Sequence, residues 1–189
     1  MFTRIRLKLP TRNEALPVFS TILFIVFSWM FFQFFIQVPS WIFYMDAQKL
    51  LVMFTYVVSF SLAESLILMG FVVFLDLVFP RRMFKEQFIA QGTVQVLIIS
   101  IITYFIRQRI ELFEKLEIVK LLTIPVVALA VILLSVLLSA MIFKRFEKAP
   151  RLIESLADRM TIFAYLYLPL GVASLAVVVL RNIIYCQTN

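Results

Sequence analysis

The chain has 189 residues, 63% of them hydrophobic and 15% charged, with a mean hydropathy of +1.02. A soluble domain carries about 45–50% apolar and about 25% charged residues, and here the apolar excess falls in blocks longer than about 18 residues, the mark of helices that cross a bilayer. With no histidine and one cysteine (Cys186), the usual zinc, copper and haem ligands and any Ser-His or Cys-His nucleophile pair are missing; the formal charge of +7 is read as basic residues gathered in cytoplasmic loops rather than as a nucleic-acid surface.

A transmembrane β-barrel is disfavoured by three glycines and by apolar runs that are continuous rather than alternating. The expected fold is an all-α integral membrane protein, a single helical domain over residues 1–189 with five spans.

Residues 1–15 form a basic head with Arg4, Arg6, Lys8 and Arg12. The first apolar block, 16–38, is too long for the core of a secretory signal and is followed by no A-x-A-like cleavage site, so it reads as a retained span. Pro39 is expected to stop it, and Trp41 and Tyr44 suit a headgroup-level aromatic belt. The second block, 50–79, is longer than a bilayer core of about 30 Å requires, so it must tilt or project. "PRRMFKE" (80–86) ends it with Arg81, Arg82 and Lys85.

The third block, 88–106, is a minimal span, expected to continue as a charged helix through 107–120 with Glu111 and Lys115 as an i,i+4 pair. The fourth covers 119–143. An amphipathic connection, 149–160, has Pro150 near its start and Leu152, Ile153, Leu156 and Met160 on one stripe. The last span is 161–180, with a kink expected near Pro169 and Gly171. Abundant phenylalanine, densest in "FSWMFFQFF" (27–35), reads as lipid-facing and inter-helix filling.

Taken alternately along the chain, the segments between spans hold 4, 3 and 5 basic residues on one side and 1, 4 and 1 on the other. The bias puts the N-terminus in the cytoplasm and the C-terminus outside. The four basic residues of 107–120, mixed with three glutamates, dilute it.

Glu64 lies near the middle of the second span. An acid at that depth costs on the order of 2.5–3.5 kcal/mol even on a lenient insertion scale, so it must face protein or water, or stay protonated. No other span carries a mid-depth Lys or Arg. Three roles fit: a hydrogen bond to Gln95 that fixes the packing of spans 2 and 3, with Ser61 contributing; contact with a cationic or polar group of a partner subunit; or proton and ion handling. Gln91, about one turn nearer the cytoplasm, is a further candidate partner and Gln33 a weaker one, and Tyr165 and Tyr167 are distant accessories to a proton path. Asp76, some 12 residues further on, reads as an interfacial acid beside Arg81 and Arg82.

No phosphate-cradling loop, G-x-x-x-G pair or Asp-rich magnesium motif is found. Glu111, Glu114 and Glu117 interleave with Arg109 and Lys115 as a solvated face. Arg81, Arg82, Lys144 and Arg145, with Lys85, Lys148 and Arg151, are candidates for anionic lipid headgroups. By elimination the expected function is an accessory or structural transmembrane subunit of a larger complex. It is expected to have no catalytic residues and no cofactor, to sit in a cytoplasmic or inner membrane, and to contact lipids and other integral membrane subunits. The alternative is a small transporter or ion- or proton-conducting component that uses Glu64.

Overall fold

The computed structural model describes residues 10–79, 87–108, 118–146 and 148–187, with side chains except at 118–122 and 185–187. Five α-helices follow one another: α1 (Arg12–Trp41), α2 (Ala47–Val78), α3 (Phe88–Gln108), α4 (Ile118–Arg145) and α5 (Lys148–Gln187). The described residues contain no strand. All five helices are long and apolar enough to cross a membrane. The shortest, α3, has 21 residues and is about 32 Å long.

The helix ends differ from the apolar blocks for local reasons. α1 starts four residues before its block, where the Glu14 carboxylate reaches back to Thr11 and forms one half of a capping box. The Thr11 N–H donates to Glu14 Oε2 at 2.7 Å and the Thr11 hydroxyl donates to the same oxygen at 2.8 Å, satisfying groups that a bare helix start leaves open. The T-x-x-E signature was there to be read in "TRNE". At the other end α1 runs past Pro39 to Trp41, because a proline in the last turn removes only one backbone hydrogen bond. α2 begins at Ala47 behind Asp46, whose carbonyl accepts from Leu50 N–H at 3.1 Å.

α5 changes the expected layout most. The 149–160 segment is no separate connection: it forms the opening turns of one 40-residue helix that continues through Pro169, about 60 Å in all. The part beyond a bilayer's thickness is the charged one. Of the apolar stripe, Leu152 and Leu156 are exposed and Ile153 and Met160 half-buried, while Pro150 and Ala157 are buried. Buried small residues recur at seven-residue intervals (Ala157, Ala164 and Gly171), and the large apolar residues Ile162, Leu166 and Val172 face outward. Small residues on the inner side let backbones approach closely.

The chain packs as two compact units, one gathering the residues up to Val18 with Val72–Asp158, the other Phe19–Phe71 with the residues from Arg159 on. α1, α2 and α5 contribute to both. In the first unit α3 and α4 run antiparallel against each other through Gln91, Gln95, Ser135 and Ser139. Gly92 brings α3 so near its neighbours that a Cβ there would lie 3.1 Å from Val18 and 3.3 Å from Val72. In the second unit Leu23, Phe27, Val58, Leu62, Ala164 and Tyr167 form the core. A run of rings links α1, α2 and α5: Phe27 stacks on Tyr167 at 4.9 Å, Phe31 on Phe54 at 5.7 Å, and Phe24 meets Phe163 at 4.5 Å. Gly171 fits against Leu62, whose Cβ would lie 3.2 Å from an added methyl. The phenylalanines of 27–35 thus divide, Phe27 and Phe34 facing inward and Phe32 and Phe35 outward.

Candidate functional site

The polar groups inside the helices separate into three sets. The first joins α3 to α4. Gln91 and Gln95 are one turn apart on α3, as are Ser135 and Ser139 on α4, so antiparallel packing aligns them as two rungs. The Ser139 hydroxyl lies 2.6 Å from Gln91 Oε1 and the Ser135 hydroxyl 2.8 Å from Gln95 Oε1. Both glutamines are fully buried.

Each hydroxyl also lies 2.7 Å from a carbonyl of its own helix, Ser139 from that of Ser135 and Ser135 from that of Ile132. A hydroxyl has one proton to give. Each serine shares that proton between the glutamine Oε1 and its own helix carbonyl. Gln95 Nε2 is buried without a hydrogen-bond partner. Ser135 and Ser139 were not singled out from the sequence. Their signal was the i,i+4 spacing that matches Gln91 and Gln95.

Gln95 takes its partner from α4. Ser61 does not serve Glu64. It is fully buried and its hydroxyl donates to the Val57 carbonyl at 2.8 Å, as Ser65 does to Ser61 at 2.7 Å and Ser59 to Thr55 at 2.8 Å. These serines are satisfied within α2.

Glu64 makes up the second set. It stands 17 residues from the start of α2 and 14 from its end, hence about 26 Å and about 21 Å from the two ends. Its side chain is exposed on the outer face of the helix. Around it on that face are Phe60, Ala63, Ile67, Gly70 and Phe74, all exposed. A Cβ on Gly70 would meet nothing within 4 Å, unlike one on Gly92 or Gly171. Among the described residues Glu64 forms no hydrogen bond or ion pair.

Asp76, in the first unit, is buried at 5% exposure rather than lying open at the helix end. It sits one turn beyond Val72, the residue that meets Gly92, which draws this part of α2 into the packing. Arg81 and Arg82, its expected neighbours and candidate lipid contacts, lie outside the described residues, as do Lys85 and Glu111, Glu114 and Glu117.

The third set is at helix ends. Lys144 and Arg145 close α4, Lys148 and Arg151 open α5, and all four are exposed beside exposed Phe146 and Leu152. At the far end of α5, Asn182 Oδ1 accepts from the Tyr56 hydroxyl at 3.0 Å and the Arg181 guanidinium lies 6.0 Å from the Tyr56 ring centre. Tyr167 belongs to the aromatic core, whereas Tyr165 is exposed. No group of three His, Cys, Asp or Glu side chains able to hold a metal comes together among the described residues.

Comparison with known proteins finds no matching family model, no similar curated protein and no similar solved structure.

Proposed function

We propose that this chain is a multi-pass integral membrane protein, N-terminus in the cytoplasm, that works as an accessory subunit of a larger membrane complex. The observation that carries the reading is Glu64: a carboxyl at mid-helix, turned outward into an apolar face, with nothing in the described chain to answer it. Isolated in lipid, that face is unfavourable; covered by another subunit, it is a contact. The spans also leave much of their surface uncovered. In α5 Ile162, Leu166, Val172 and Leu180 are exposed, which leaves room for lipid and for other helices. Exposed Lys144, Arg145, Lys148 and Arg151 suit anionic headgroups on the cytoplasmic side, at about 1 kcal/mol each near the surface.

The test is mild detergent extraction of a tagged full-length chain from its native membrane, followed by native mass measurement and identification of co-purifying proteins. A stoichiometric integral membrane partner is expected. Recovery as a lone monomer, across detergents that preserve known complexes from the same membrane, sinks the subunit reading.

A further inference from the structure

We infer that the outer face of α2 around Glu64 receives a membrane-spanning helix of another protein carrying a lysine or arginine near its middle. The inference rests on the subunit reading and names the chemistry of the partner. Phe60, Ala63, Glu64, Ile67, Gly70 and Phe74 fall within an arc of about 120° at 100° per residue and extend over about 21 Å of helix. Ala63 and Gly70 form one edge of this arc, Glu64 the other, with Ile67 between. A helix laid along the small edge approaches closely, because Gly70 offers open space, and a long side chain from it reaches across to the carboxylate.

Among the described residues Glu64 has no ion-pair or hydrogen-bond partner. The nearby hydroxyls of Ser61 and Ser65 donate to their own helix. The described basic side chain nearest along α2 is Lys49, which pairs with Asp46 at 3.8 Å and stands 15 residues, about 22 Å, from Glu64. On α5, Arg181 lies over Tyr56, eight residues or about 12 Å along α2 from Glu64.

A second copy of the chain is the wrong occupant, since a two-fold contact through this face brings one Glu64 toward another. A cationic side chain on a neighbouring span has the converse difficulty in hydrocarbon, and pairing removes both at once. Charge complementarity therefore selects the cationic helix.

The full chain in phosphatidylcholine bicelles, with a donor dye on its single cysteine, Cys186, is titrated with acceptor-labelled synthetic spans of leucine and alanine. One span carries a central lysine, the other leucine at that position. The lysine span should bind about tenfold more tightly, the effect of a well-made interhelical polar contact, and Glu64→Gln should abolish the preference. Gly70→Leu, whose Cβ meets nothing within 4 Å, should weaken both spans by blocking close approach.

Equal binding of the two spans, or a preference that survives Glu64→Gln, overturns the inference, with helicity measured alongside to show that the variants are folded. So does Glu64-dependent energy transfer between donor- and acceptor-labelled copies of the chain, which would make a second copy the occupant. The two readings fail separately: a native partner recovered equally by wild type and Glu64→Gln leaves the subunit role standing and removes this contact. A chain that is alone in its membrane yet prefers the lysine span does the reverse.

Discussion

The rung between Gln91 and Ser139 gives the strongest quantitative test of how α3 and α4 are held together. Gln91→Met keeps the side-chain length and removes the amide; Ser139→Ala removes the hydroxyl. The pair is 2.6 Å apart with both residues buried, so no water replaces the lost partner. Against this, chains unfolded within a membrane environment also find polar partners, and measured interhelical hydrogen bonds average about 0.6 kcal/mol with a maximum of about 1.7 kcal/mol. Ser139 has carbonyls of its own helix at 2.7 and 3.1 Å, so the hydroxyl keeps an acceptor when Gln91 is changed, and the cost falls mainly on the stranded amide when Ser139 is changed. The short distance and full burial put the expected coupling near 1 kcal/mol, about a fivefold change in the unfolding equilibrium. Reversible unfolding in mixed micelles, followed through Trp29 and Trp41 fluorescence and far-ultraviolet dichroism, supplies the four stabilities of the cycle. A coupling below about 0.3 kcal/mol, within ordinary additivity error, would mean that the rung does not hold the helices and that apolar packing alone does.

Gly70 and Gly92 should behave differently under the same assay. Gly70→Ala gains helix propensity with no clash and should stabilise by up to about 1 kcal/mol, whereas Gly92→Ala presses a methyl against the fully buried Val18 and Val72 and should be neutral or destabilising; identical effects at both sites would refute the close approach of α3. The proposed orientation is checked with a membrane-impermeant maleimide, which should label Cys186 in intact cells. Labelling that appears only after lysis reverses the assignment of the termini.

The number and approximate extent of the helices were legible in the sequence because the cost of putting polar backbone or side chains in hydrocarbon leaves long apolar blocks, and each such block became a helix. Thr11 and Glu14 show that even the early start of α1 was written there, as a capping box. The fusion of 149–160 with 161–180 into α5 was harder to read, since the charged opening turns and the apolar span differ in composition but not in helical backbone.

Which way each helix faces was decided only by the tertiary structure. In a soluble helix the apolar side points inward; in α2 apolar residues surround the axis, and hydrophobicity does not tell core from lipid. Ser61 and Glu64 are one turn apart, yet the packing boundary runs between them, one buried and one exposed. Gln95 meets Ser135 because of which faces of α3 and α4 come together. The residues that do report rotation are the small ones: Ala157, Ala164 and Gly171 mark the inner seam of α5, and Gly92 the inner side of α3, since close backbone approach requires them. Gly70 has the same chemistry and no neighbour, so composition alone could not distinguish it from the other two glycines. Among the described residues nothing lies within 4 Å of a Cβ placed there, and Glu64 beside it is exposed.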